Sequence, residues 1–141
     1  MTAGSKKRAI EEAAIRISKG IGHLSAEDIY ERLINREKIG TTAIGHGIAI
    51  PHCRMDDCAE IVGALFRLDT PVDFGAFDEE PVKILFVLLV PAEEVEEHLH
   101  ALAMLAERFE SEEYRRSLST AMDDAELYRR AIADIPLHNS M

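Results

Sequence analysis

The residues best suited to chemistry are histidines set among small residues. From position 40 to 52 the chain reads Gly-Thr-Thr-Ala-Ile-Gly-His-Gly-Ile-Ala-Ile-Pro-His. Pro51 biases Ile50 toward extended geometry, which predicts a short strand over 48–50 delivering His52 at its end, ahead of a polar loop over 53–57. The competing reading is a surface histidine beside a turn proline. His98 falls in the first turns of a helix predicted over 93–109, where backbone N–H groups and a partial positive charge suit a phosphate. If strand and helix return to the same end of a sheet, His98 and His52 face one crevice.

Arg36, just before the glycine-rich segment, can reach an anion near Thr41 and Thr42. As a cation at a helix C-terminus it also complements the helix dipole. Gly45-His46-Gly47 lets the backbone approach a ligand closely, without the third glycine of a dinucleotide fingerprint. His46, His52, Cys53, Cys58, His98 and His100 include soft and borderline metal ligands. None has recognised zinc spacing, and His52 and Cys53 point apart on an extended chain, so neither metal nor cofactor is expected. No Gly-x-Ser-x-Gly elbow or phosphate-binding loop occurs.

These residues need a scaffold. Ile10, Ala13, Ala14 and Ile17 recur at helical spacing after Ser5, until Gly20 and Gly22 stop them. A second helix opens at Ser25, with Asp28 as capping-box partner and Ala26, Ile29, Tyr30, Leu33 and Ile34 as its apolar face. Residues 61–68 read as a strand and Asp69-Thr70-Pro71 as the turn after it. The run 82–90 is apolar on both faces, as in a central strand covered by helices on both sides. Leu99, Leu102, Ala103, Ala106 and Phe109 form the stripe of the next helix, and shorter helices are predicted over 112–118 and 125–133. The class is α/β, with helices on both faces of a short sheet.

The chain has 141 residues, which suits one domain, with residues 1–4 expected to be disordered and 136–141 a tail. The 26 acidic against 16 basic residues give a net charge of −10, which argues against nucleic acid and anionic membrane surfaces as partners. Cys53 and Cys58 read as two free thiols in a reducing compartment. With no signal peptide and no run long enough for a membrane span, a cytoplasmic protein is expected.

Residues 36–42, Arg-Glu-Lys-Ile-Gly-Thr-Thr, running into Gly45-His46-Gly47-Ile48-Ala49-Ile50-Pro51-His52, resemble the signature of type-2 IIA domains of the bacterial phosphotransferase system. This is the fructose/mannitol class, and the likeness is nearest to the nitrogen-regulatory IIA proteins. It continues through Thr70-Pro71-Val72, Leu88-Leu89-Val90-Pro91-Ala92, His98-Leu99-His100-Ala101-Leu102 and Glu126-Leu127-Tyr128. The resemblance implies a mixed sheet flanked by helices. It further implies that His52 accepts a phosphoryl group on Nε2 (a tele-phosphohistidine) from an HPr-like phosphocarrier protein. His98 matches the second active-site histidine and Arg36 the arginine near the phosphate, with Thr41 and Thr42 expected as phosphate-binding residues. A regulatory target or a IIB domain is implied downstream, the alternatives being a sugar-specific component and an interaction module that is no longer phosphorylated. His46 stands where many relatives carry Asn, and Cys53 where many carry Gly. Relatives usually carry an additional N-terminal segment, often with an edge strand; if it is missing here, the exposed sheet edge is expected to be covered by self-association into a homodimer.

Overall fold

The computed structural model describes residues 1–93 and 95–120, apart from the side chains of Val95, Glu97 and His98. The helix expected over 125–133 and the tail lie outside the described residues. Contacts divide the chain into two compact units, the first built from residues 1–93 and the second beginning at residue 94.

The first unit opens with two capped helices, α1 (Lys6–Gly20) and α2 (Ala26–Ile39). The Ser5 hydroxyl accepts from the Arg8 N–H at 3.2 Å. Ser25 does the same for the Asp28 N–H at 3.3 Å. Only this half of the expected capping box forms, because the Asp28 carboxylate accepts from Arg32 Nε at 3.2 Å. Ala9, Ile10, Ala13, Ala14 and Ile17 of α1 are buried, as are Ile29 and Leu33 of α2.

Five strands follow: β1 (Ala43–Gly45), β2 (Ile48–Ala49), β3 (His52–Met55), β4 (Val62–Val72) and β5 (Val82–Pro91). Strands β2 and β3 lie end to end along β5, both parallel to it, while β4 pairs with β5 antiparallel and β1 with β2 antiparallel. The sheet is therefore mixed. Ile48 pairs with Ile84 and His52 with Leu88, so the register is the same on both sides of Pro51. The proline has no N–H to give the ladder, but its carbonyl accepts from the Leu88 N–H at 2.9 Å.

Two expectations are corrected here. Cys53, Arg54 and Met55 belong to β3 and not to a loop, so His52 begins a strand as well as following the short strand β2. Asp69, Thr70 and Pro71 lie inside β4, where the register with β5 shifts between Arg67 and Val72. That irregularity accommodates a proline within the strand.

The run 82–90 is the central strand, as its composition predicts. Leu85, Val87 and Leu89 join the α1 and α2 residues in one apolar core. The alternate residues Ile84, Phe86, Leu88 and Val90 are buried as well, so both faces of β5 are covered. The second unit holds α3 (Val95–Glu110) and α4 (Glu112–Ser119). There Phe109 and Tyr114 meet edge to face, with ring centroids 5.2 Å apart.

Candidate functional site

Strand alternation decides where His52 points. Its register partner is Leu88, so its side chain leaves the sheet on the face away from the α1/α2 core, half-buried. The next residue, Cys53, turns into that core. Burial pushes the Cys53 thiol up to about 12, so it stays protonated and inert, and burial raises Cys58 as well. Both cysteines are free.

His52 Nδ1 lies 2.7 Å from the Ile50 carbonyl oxygen. A carbonyl can only accept, so Nδ1 carries the proton and the neutral ring places its lone pair on Nε2. Burial lowers the His52 pKa below its ordinary value of about 6.5. The bond to Ile50 opposes that shift, the positive charge of Arg36 adds to it, and the Glu37 carboxylate opposes it. The unfolded chain is then the better proton binder below about pH 6.5, so stability falls as pH drops through that range. An NMR titration of His52 should give a midpoint below 6.5, and His52→Gln should flatten the acid-side loss of stability; a midpoint above 6.5 would contradict this assignment.

Arg36 sits in the last turn of α2, and its Nη1 donates to the Gly40 carbonyl at 2.8 Å. This contact is the helix-end role expected of Arg36. The side chain satisfies a carbonyl at the helix end, and its charge is felt at His52.

Thr41 and Thr42 are placed differently from the expected phosphate ligands. The Thr41 hydroxyl donates to the Phe74 carbonyl at 2.7 Å and accepts from the Ala43 N–H at 3.2 Å. Thr42 is buried, and both its N–H and its hydroxyl donate to the Glu37 carboxylate, at 2.9 and 2.5 Å. These hydroxyls shape the turn between α2 and β1. A carboxylate beside Thr42 also disfavours a phosphate there.

Glu37 is the residue that sequence reasoning missed. It is only 5% exposed and faces Lys6 Nζ at 3.4 Å, and that ammonium also donates to the Phe74 carbonyl at 3.3 Å. The signal was its spacing: Ile29, Leu33 and Glu37 fall four apart on the buried face of α2, so a carboxylate occupies the place of an apolar residue.

The glycines of Gly45-His46-Gly47 are required by the backbone of the turn. All three residues have positive φ (91°, 58° and 78°) and turn β1 into β2. A Cβ on Gly45 would meet the Phe77 ring and the Asp78 carboxylate at 3.1 Å. Asp78 accepts from the His46 N–H at 2.9 Å and the Glu80 N–H at 3.1 Å, which holds it below the usual carboxylate range. His98 lies in α3, in the second unit, and its side chain is outside those described. His100 is exposed. Among the described residues, no three of His, Cys, Asp and Glu are placed to hold a metal ion.

The family described as "Phosphoenolpyruvate-dependent sugar phosphotransferase system, EIIA 2" matches residues 1–133. A nitrogen regulatory protein of Pseudomonas aeruginosa is 44% identical over 126 residues, covering 89% of this chain and 82% of the relative. The crystal structure of the nitrogen regulatory protein IIA-Ntr from Neisseria meningitidis superposes with a TM-score of 0.85 at 40% identity, covering 93% of this chain and 89% of that one. A chain from the Escherichia coli complex of enzyme IIAMTL with phosphorylated enzyme IIBMTL shares the fold, with a TM-score of 0.72 at 18% identity over 94% of this chain and 91% of that one.

Proposed function

The chain belongs to the EIIA type-2 family of the phosphoenolpyruvate-dependent sugar phosphotransferase system, as a IIA phosphocarrier homologous to nitrogen regulatory proteins, and from that premise we propose that His52 carries the phosphoryl group on Nε2. The observation that carries this reading is the 2.7 Å bond from Nδ1–H to the Ile50 carbonyl, which aims the lone pair of a neutral imidazole through Nε2. In the transfer, that lone pair attacks phosphorus in line and forms an N–P bond, while the donor's N–P bond breaks and its electron pair returns to the donor nitrogen. The ring gains positive character as the bond forms, and the Ile50 carbonyl on Nδ1–H stabilises it. Arg36 supplies positive charge for the equatorial phosphoryl oxygens. Thr41 and Thr42 enter as residues that shape the turn behind Arg36. For His98 the resemblance alone carries the role of second active-site histidine, and a lower transfer rate in His98→Ala tests it.

The donor in this reading is an HPr-like phosphocarrier with a basic surface, which the net charge of −10 would steer toward this chain. Relatedness to nitrogen regulatory proteins favours a regulatory target downstream over a IIB domain. No described helix is long and apolar enough to cross a membrane, and we place the protein in the cytoplasm with its donor. Incubation with phosphoenolpyruvate, enzyme I and an HPr-like carrier, followed by intact-mass spectrometry, tests the function. One acid-labile phosphoryl group is expected; folded protein that gains none from any carrier tried overturns it. In the same assay, Arg36→Ala should slow the transfer by about 10²-fold. An unchanged rate would remove Arg36 from the site.

A further inference from the structure

We propose that Glu37 is a positioning residue: through Thr42 and Ile50 it fixes the orientation and tautomer of the His52 imidazole. The inference rests on reading His52 as the phosphoryl acceptor. Four hydrogen bonds make a continuous chain. The Glu37 carboxylate takes both donors of Thr42, N–H and hydroxyl, at 2.9 and 2.5 Å. The Thr42 carbonyl accepts from the Ile50 N–H at 3.0 Å. The Ile50 carbonyl accepts from His52 Nδ1–H at 2.7 Å.

Each link holds a group that the next one needs. The Ile50 carbonyl has to stand at one place and angle for Nδ1 to stay protonated and Nε2 to keep the lone pair. Ile50 lies between the end of β2 and the start of β3, where Pro51 removes one donor from the backbone ladder. The bond from Ile50 N–H to Thr42 ties that gap down, and Thr42 is in turn fixed on two sides by one carboxylate. Lys6 offsets the buried charge from α1. An apolar residue at position 37 would fill the buried stripe of α2 at no desolvation cost, but it would leave the Thr42 N–H and hydroxyl without these acceptors. Glu37 also follows Arg36 directly, so the clamp that sets Thr42 sets the helix end from which Arg36 reaches the site.

Glu37→Gln is the test. A glutamine offers a single acceptor oxygen where Thr42 presents two donors, so one link of the clamp fails. The folded variant should transfer a phosphoryl group from the phosphorylated HPr-like carrier with kcat lowered about tenfold and KM essentially unchanged. ¹⁵N NMR of histidine-labelled protein should show His52 moving from the Nδ1–H tautomer to a mixture of the two. Thr42→Ser keeps both donors and should retain the wild-type tautomer and kcat. A purely structural Glu37 would lower the melting temperature but leave tautomer and kcat of the folded protein as in wild type, and that result overturns the proposal. If Glu37→Gln does not fold, Thr42→Val, which removes the hydroxyl link alone, carries the same two expectations. Should wild-type protein take up no phosphoryl group, the reading of His52 as acceptor falls, and the tautomer measurement decides the role of Glu37 by itself.

Discussion

His52→Ala protein should take up no phosphoryl group under conditions where wild type takes up one. The expectation follows from how differently the imidazoles are held. His52 is half-buried, and Nδ1–H on the Ile50 carbonyl leaves the nucleophilic lone pair on Nε2. His23 is exposed and places Nε2 3.1 Å from the Asp57 carbonyl, which puts the proton on that nitrogen. His46 is exposed on the β1–β2 turn, and His100 is exposed on α3. Removing the nucleophile removes the covalent step, and no other group can restore it by positioning alone. The backbone of β3 pairs with β5 through main-chain groups, so alanine at 52 keeps the ladder and the variant should remain folded. Intact-mass spectrometry with a parallel melting curve checks both parts. An acid-labile phosphoryl group on folded His52→Ala protein would move the acceptor to another histidine.

Phe74→Ala should destabilise the protein by about 3–5 kcal/mol, a large share of the roughly 5–15 kcal/mol a domain of this kind possesses. The ring is fully buried and belongs to the core shared by α1, α2 and the sheet. Lys6 Nζ lies 5.7 Å from its centroid, so the substitution also withdraws a cation–π contact from the ammonium that faces Glu37. The Phe74 carbonyl holds the Thr41 hydroxyl and Lys6, which links this part of the core to the turn behind Arg36. Urea unfolding of wild type and variant measures the loss, read as a shift in midpoint at unchanged slope. A loss below about 1 kcal/mol would mean that the site collapses around the missing ring and that the core here is not closely packed.

Much of the scaffold is legible in the sequence. Ser5 and Ser25 begin helices because a serine hydroxyl satisfies an N–H that a helix start leaves open, and both bonds are present. The run from Val82 is apolar on both faces because strands pair with it on both edges and both its faces are buried. His52, Arg36 and the turn between them stand out by residue type and spacing within 17 positions of the chain. Less legible was the role of each hydroxyl. Thr41 and Thr42 beside an arginine suggest anion ligands, but their partners are Phe74 and Glu37, and nothing local to the threonines announces that.

The sequence by itself determined the helix starts, the central strand and the α/β class, because caps, periodicity and composition are local properties of the chain, and it singled out His52 as the candidate acceptor through its resemblance to a family signature. Tertiary structure alone decided that Asp69-Thr70-Pro71 stays in β4, that His52 opens a strand in register with Leu88, and that its imidazole leaves the sheet opposite Cys53. It also decided that Glu37 is buried beneath Thr42 and that Gly45 makes room for Phe77. Each of those outcomes depends on pairing with residues distant in the chain. Strand register flips every side chain with a one-residue slip, and a buried carboxylate is tolerable only where folding brings it donors.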